Sequence, residues 1–138
     1  MVGFRPNFPE ISPNNKSFSA LMNNSSTSTM INPLPSINLQ ENDLLVIKHR
    51  VSAFSGSDLE IILRSQNIKH LILTGIATSG VVLSTLREAA DKDYQLTVLS
   101  DLSADFDPEI QTVLIEKVFP KQADVITSDD WLKEINKH

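Results

Sequence analysis

The 138-residue sequence contains no cysteine. This absence excludes a disulfide scaffold, a cysteine-ligated metal site and any enzyme that uses a thiolate nucleophile. Glycine is also scarce, with four residues in the chain, and neither the G-x-G-x-x-G nor the G-x-x-x-x-G-K-[ST] pattern occurs. Because these patterns supply the backbone that cradles phosphates, the sequence gives no support to a dinucleotide-binding or P-loop function.

Basic residues are fewer than acidic ones, 12 against 17, which leaves a formal net charge of -5. A protein that neutralises phosphates on DNA or RNA normally has the opposite balance, so no nucleic-acid partner is expected. No run approaches the roughly 18 consecutive apolar residues that span a bilayer, and the first residues lack the apolar region of a secretory signal. We therefore expect no membrane partner and a cytoplasmic location.

The three histidines, His49, His70 and His138, give no metal-ligand pattern. No two of them share the i, i+4 spacing of a helical metal site, and no cysteine is present to join them. A metal site is therefore not predicted, and no cofactor is expected.

The composition changes near Glu41. Five of the seven prolines and a Ser/Thr/Asn tract at residues 23–29 precede it. Such side chains compete for backbone hydrogen bonds and favour turns. We expect a single domain over residues 1–138, in which residues 1–43 are a mostly irregular segment that wraps against the body. A loose N-terminal arm is the alternative for this segment.

From residue 44 onward, short apolar runs alternate with helical periods, which is the sequence form of βαβ units. Strands are expected at 44–47, 71–73, 96–99 and 125–126, and helices at about 57–67, at about 79–93, from Pro108 and from Ser128. The expected caps are a Ser57–Glu60 capping box, Asp107 and Ser128. Since parallel strands joined by helices cross over right-handedly, residues 44–138 predict an α/β fold, a parallel sheet with helices on both faces.

Three of these helices carry apolar residues at spacings that place them on one face. The residues expected to face the core are Leu59, Ile62 and Leu63 in the first helix, Val82, Leu86 and Ala89 in the second, and Ile110, Val113 and Leu114 in the third.

Ligands of such sheets bind at the carboxyl ends of the strands, which singles out Lys48, the turn at 74–80 and Asp101. Lys48 ends an apolar strand, so its ammonium lies beside an anion or snorkels to water. The turn enters a helix, and its amides would face the same edge as Lys48, which suits an anion. The alternative is an ordinary strand-to-helix turn with Ser79 as N-cap. Asp101 pairs with Lys48 or, more simply, caps a loop.

Two blocks of sequence carry a family resemblance. Residues 46–54 read VIKHRVSAF and contain the pattern K-x-R-x-S-A-F, and residues 71–78 read LILTGIAT and contain G-x-x-T. With Thr85, Ala89 and the VLSD run at 98–101, they closely resemble the isochorismatase-like (cysteine hydrolase) superfamily, which includes nicotinamidases, carbamoylases and isochorismatases. The resemblance covers nearly the whole chain. It implies a three-layer α/β/α, Rossmann-like fold.

Amidases of this family use an Asp, a Lys and a Cys, the thiol attacking the carbonyl to give an acyl intermediate. The resemblance places Lys48 at the lysine position and Val81 at the nucleophile position, six residues beyond Gly75. Val81 has an alkyl side chain and cannot serve. The nearby hydroxyls of Ser79 and Ser84 are poor replacements, since no histidine base is in reach.

The same resemblance assigns the turn after the second predicted strand to substrate binding. The residues implied are Ile76, Ala77, Thr78, Ser79 and Gly80. It also implies a non-proline cis peptide bond between Ile76 and Ala77.

In the family, the catalytic Asp lies on a first strand that would precede Met1, so the resemblance implies a member that lacks its N-terminal β-α-β portion. That strand pairs with the one matching residues 44–48, and its loss would leave an unpaired edge unless residues 1–43 fold back over it. Because such an edge pairs readily with another chain, we expect a homo-oligomer or an aggregation-prone monomer.

The resemblance thus implies an isochorismatase-family, hydrolase-like protein that is inactive or impaired as a thiol hydrolase. The alternatives are a non-catalytic small-molecule binding or oligomerising protein of the same fold, and a fragment of a longer protein. The small-molecule substrate or ligand is not identified by the sequence.

Overall fold

The computed structural model describes residues 2–6, 14, 16, 38 and 40–137. Two compact units divide the chain, residues 1–59 and residues 60–138. Each unit has its own parallel sheet.

The first unit contains two parallel strands, β1 (Val2–Pro6) and β2 (Leu44–Lys48), paired in register from Val2 opposite Leu44 to Pro6 opposite Lys48. Proline is tolerated at this last position because the ladder ends there. Residues 2–6 therefore fold back and pair with one edge of β2. This is the arrangement predicted as the alternative to an unpaired edge. Residues 2–6 form a strand that the expectation of an irregular segment did not include, and most of 1–43 lies outside the described residues.

From Leu45 onward, the side chains of β2 alternate between exposed and buried. Val46 and Lys48 are buried, whereas Leu44, Leu45 and Ile47 are 39%, 46% and 47% exposed. The apolar run at 44–47 suggests a strand that is buried on both faces, and this interpretation is wrong, because Val46 alone of these four residues is buried. Successive side chains of a strand point to opposite faces, and one face of this two-stranded sheet remains exposed.

The first helix, α1 (Leu59–Ser65), begins without the expected capping box. The Ser57 hydroxyl accepts a hydrogen bond from the Leu59 amide at 3.2 Å and donates to the Ala53 carbonyl. Glu60 instead pairs with Lys92, with Nζ to Oε2 at 2.6 Å. Ser57 therefore closes the preceding turn, and the reciprocal Ser57–Glu60 arrangement is wrong. The predicted apolar face of α1 is confirmed at Leu59 and Leu63, which are buried.

The second unit contains three parallel strands in the spatial order β3 (His70–Ile76), β4 (Gln95–Ala104) and β5 (Asp124–Ile126). Its other elements are a π-helical turn at Thr78–Val82, α2 (Leu83–Asp91), α3 (Pro108–Val113), a second π-helical turn at Leu114–Val118, a 3₁₀ turn at Phe119–Lys121 and α4 (Ser128–Ile135). This βα succession confirms the predicted α/β class.

The central strand of this sheet is covered on both faces, because residues 96–99 are all buried. The predicted face of the second helical segment is confirmed, with Val82 3% exposed and Leu86 and Ala89 fully buried. Burial of the Leu86 side chain contributes about 1.5–3 kcal/mol to stability by removing it from water.

The face predicted for α3 is wrong at two of three positions. Ile110 and Val113 are 42% and 40% exposed, whereas Leu114 is 7% exposed and Phe119 is fully buried. The helix ends after six residues and continues as a π-helical turn. The buried side chains Leu114 and Phe119 therefore lie beyond the regular helix, in the π-helical turn and the 3₁₀ turn that follow it.

Helix caps follow local chemistry. The Asp107 carboxylate accepts the amides of Glu109 and Ile110 at 2.9 and 3.3 Å, which confirms the predicted cap. The prediction that Ser128 caps α4 is wrong. The cap is Thr127, whose Oγ1 accepts a hydrogen bond from the Asp130 amide at 3.2 Å. Among the described helices, none combines the length and the apolar character needed to cross a membrane.

Candidate active site

Lys48, the last residue of β2, is buried with 8% of its surface exposed. Its Nζ donates hydrogen bonds to the backbone carbonyls of Arg50 and Val51, the second at 2.9 Å. Burial lowers the pKa of Lys48 from 10.5 to about 8, because the ammonium loses contact with water. Snorkelling to water is therefore wrong, since the ammonium turns inward onto carbonyl oxygens of its own loop.

The K-x-R-x-S-A-F pattern builds the loop that receives Lys48. Ala53 and Phe54 are 1% and 5% exposed, and Ser52 Oγ accepts a hydrogen bond from the Phe54 amide at 3.2 Å. This anchoring fixes the loop, so that its carbonyls face the ammonium. A cavity of about 390 Å³ beside the loop is lined by His49, Arg50, Ser55 and Gly56.

In the second unit, β3 leads into a turn of unusual backbone geometry. Gly75 has a φ of +140°, which L side chains rarely adopt, and the peptide bond between Ile76 and Ala77 is cis. This is the cis bond that the resemblance implies, so that expectation is confirmed. Ala77 is the extended residue before the π-helical turn and makes no side-chain cap. The alternative with Ser79 as N-cap is therefore wrong.

Asp105 ties this turn to the neighbouring strand. Its Oδ2 accepts a hydrogen bond from the Ser79 amide at 2.6 Å, and hydrogen bonding to Ser79 holds the pKa of this carboxyl below its usual range. Sequence reasoning missed Asp105 because it ended the strand at residue 99, whereas β4 continues to Ala104. Leu102 was the available signal, because it extends the apolar spacing past Asp101.

Asp101 caps a loop, which confirms the simpler of its two predicted roles. Its carboxylate accepts hydrogen bonds from the Ser128 amide at 2.8 Å and from the Ser128 hydroxyl. These bonds lower the pKa of Asp101. The carboxylate thus fixes the start of α4.

The predicted nucleophile position falls on the π-helical turn, where Val81 is half-buried. Its side chain has no lone pair to attack a carbonyl. Thr78 is fully buried, and its hydroxyl has no hydrogen-bond partner among the described residues. Beside Gly80 the space is open, because a Cβ added there would meet nothing within 4 Å.

The five residues predicted to bind substrate are consecutive and run from the end of β3 into the π-helical turn. They are Ile76, Ala77, Thr78, Ser79 and Gly80, of which Ile76 is 61% exposed. Lys48 belongs to the other unit. That Lys48 and this turn face one pocket remains a prediction. Within the part of the chain that the structure describes, His, Asp and Glu side chains form no group of three or more that could hold a metal ion.

Known proteins that are similar to this chain include members of the isochorismatase family. The family model of the isochorismatase domain matches residues 12–130. The uncharacterized isochorismatase family protein YwoC of Bacillus subtilis is 33% identical over 102 residues, which are 74% of this chain and 54% of that protein. A solved isochorismatase family protein from Burkholderia thailandensis is 39% identical with a TM-score of 0.68, covering 70% of this chain and 51% of that one.

A solved isochorismatase-like hydrolase from Alkaliphilus metalliredigens is 22% identical, with a TM-score of 0.80 over 97% of this chain and 70% of that one, and shows the shared fold. The chain spans about half the length of the Bacillus and Burkholderia relatives. The family match includes both the Lys48 loop and the turn after β3. The chain belongs to the isochorismatase family.

Proposed function

We propose that this chain is a hydrolase-like member of the isochorismatase family that is silent as a thiol-dependent amidase and keeps a small-molecule binding role. The observation that carries the proposal is Val81 at the nucleophile position of a chain without cysteine. The family resemblance, rather than the geometry, assigns that position to the nucleophile.

Two of the hydroxyls near Val81, those of Thr78 and Ser79, do not replace a thiol. The Thr78 side chain is fully buried, so a substrate carbonyl has no access to it. Ser79 is exposed, but the Asp105 carboxylate on its amide places negative charge beside it. A nearby negative charge opposes formation of an alkoxide, so Ser79 is a weak nucleophile.

Lys48 supports the binding half of the proposal. With a pKa of about 8, the Lys48 amine is mostly protonated at neutral pH. The carbonyls of Arg50 and Val51 hold this ammonium in a fixed position. Because the ammonium is buried and bonded to its own loop, it acts on a ligand through its charge, which attracts a carboxylate in the adjacent cavity lined by His49 and Arg50.

The proposal is tested by assaying the full chain against a panel of amides and N-carbamoyl compounds, with and without iodoacetamide. We expect no iodoacetamide-sensitive turnover. The Val81→Cys variant supplies the sole thiol of the chain, and its alkylation measures access to the turn. We expect no gain of turnover in this variant, because an unactivated thiol with a pKa near 8.5 is mostly protonated at neutral pH. Efficient hydrolysis by the unmodified chain would contradict the proposal.

The binding half is tested by thermal unfolding with the same panel, because a ligand that binds the folded state raises Tm. We expect at least one carboxylate- or carbonyl-bearing compound to raise Tm in the unmodified chain but not in Lys48→Met. The exposed Lys117 offers a matched control, and Lys117→Met should keep the response. A panel without any effect on Tm would contradict a retained binding role.

We also propose a cytoplasmic homo-oligomer. The exposed Leu44, Leu45 and Ile47 of β2 support self-association, since a two-stranded sheet with an uncovered apolar face is marginal in water.

A further inference from the structure

The second unit contains a cavity of about 700 Å³, a size typical of small-ligand sites. It is lined by His70, Gln95, Thr97, Asp124, Val125, Ile126, Trp131, Glu134 and Ile135. His70, Gln95 and Asp124 are the first residues of β3, β4 and β5. The cavity therefore lies at the amino ends of the parallel strands, the opposite end from the turn that contains Val81.

The sheet side of this cavity is polar in part. His70 Nε2 and Thr97 Oγ1 are hydrogen-bonded at 2.9 Å, and Thr97 is 3% exposed. Asp124 lies opposite Thr97 in the β4–β5 register. The histidine ring is thus held by Thr97 of β4, the strand that lies between β3 and the Asp124 strand β5.

The helix side of the cavity presents three residues of α4. Trp131, Glu134 and Ile135 recur at i, i+3 and i+4, so they share one face of the helix. The contacts of Asp101 with Ser128 fix the start of this helix. An indole and a carboxylate are therefore held together on one wall.

The charge of the lining is negative. Asp124 and Glu134 line the cavity, and no lysine or arginine does so in the described part of the chain. The neighbouring Lys133 is directed to Asp130, with Nζ to Oδ1 at 2.9 Å. An aromatic face beside carboxylates attracts organic cations, because the ring quadrupole and the carboxylates both favour positive charge.

We propose that this cavity binds a small organic cation, an ammonium group carried on an apolar or aryl body. The ammonium lies between the Asp124 and Glu134 carboxylates and the face of Trp131. The apolar body packs on Val125, Ile126 and Ile135. This site is separate from the turn that contains Val81, so its test is independent of the proposed function.

Trp131 is the sole tryptophan of the chain, so its fluorescence reports directly on the cavity. The full chain is titrated at pH 7 with benzylammonium and tetramethylammonium, with benzyl alcohol and benzoate as neutral and anionic probes. We expect saturable quenching by a cationic probe. Benzyl alcohol should bind about tenfold more weakly than benzylammonium, and benzoate should give no saturable change.

Charge-removing variants locate the site. Asp124→Asn and Glu134→Gln should each weaken binding of the cation about fivefold or more. Asp129→Asn is the matched control, because Asp129 is an exposed acid on the same helix that does not line the cavity, and it should leave binding unchanged. The proposal is overturned if neither cation gives saturable quenching, if benzyl alcohol or benzoate binds as tightly as benzylammonium, or if Asp129→Asn weakens binding as much as Glu134→Gln.

Discussion

Raising the pH should stabilise this protein through Lys48. The pKa of Lys48 is about 8 in the folded chain, against an ordinary value of 10.5. Between these values the unfolded chain binds more protons than the folded chain. The free energy of unfolding contributed by Lys48 therefore rises with pH across this window and is constant below it.

The size of this gain follows from the burial of Lys48. The difference between the two pKa values corresponds to at most about 3 kcal/mol, at 1.36 kcal/mol per pKa unit. Carbonyls of Arg50 and Val51 stabilise the ammonium and so offset part of the lost hydration. We expect a gain of about 1–3 kcal/mol between pH 7 and pH 10.5.

The assay is urea unfolding across this pH range in the unmodified chain, in Lys48→Met and in Lys117→Met. Differences between the proteins isolate Lys48 from the other groups that titrate. The unmodified chain and Lys117→Met, which changes an exposed lysine, should both gain stability relative to Lys48→Met as pH rises. A relative stability that stays flat or falls through the window would refute a desolvated ammonium at the end of β2.

Three further predictions concern other parts of the chain. Asp105→Ala should lower the free energy of unfolding by about 1 kcal/mol and speed hydrogen exchange of the Ser79 amide, because the amide loses its acceptor. Asp105→Asn keeps an acceptor and should keep part of the protection from exchange. Unchanged exchange in Asp105→Ala would count against this hydrogen bond. Leu86→Ala, at a fully buried site, should cost about 2–5 kcal/mol, whereas Leu102→Ala, at a side chain 52% exposed, should cost under about 1 kcal/mol; equal costs would contradict the core assignment. Sedimentation velocity at micromolar concentration should show a homo-oligomer that Ile47→Lys weakens, and a monomeric unmodified chain would rule out self-association.

Local signals predicted much of the fold. The alternation of apolar runs and helical periods located four strands, and the Asp107–Pro108 pair located a helix start, because both depend on neighbours in sequence. The pairing of Val2–Pro6 with β2 could not be predicted this way, since the partner strand is about 40 residues distant. The π-helical turn after α3 was likewise invisible to a pattern based on 3.6 residues per turn.

The sequence predicted those parts of the candidate site that lie at the ends of strands. Lys48 and the Gly75 turn lie at the ends of β2 and β3, as expected. Asp105 was missed because Ser100 and Asp101 resemble a turn, although β4 continues through them with a shift in register opposite Gly75. A bulge of this kind depends on contacts with the neighbouring strand, which the sequence of β4 alone does not specify.

Intact-mass spectrometry tests most directly the claim that the turn around Val81 contains no working nucleophile. The full chain is mixed with reactive amides and N-carbamoyl compounds, quenched in acid during turnover, and searched for an acyl adduct, with Val81→Cys treated in parallel. Val81 at the nucleophile position predicts no adduct on the unmodified chain. An acyl adduct mapped to residues 76–84 of the unmodified chain, formed as fast as product appears, would contradict the proposal and identify a hydroxyl as the working nucleophile.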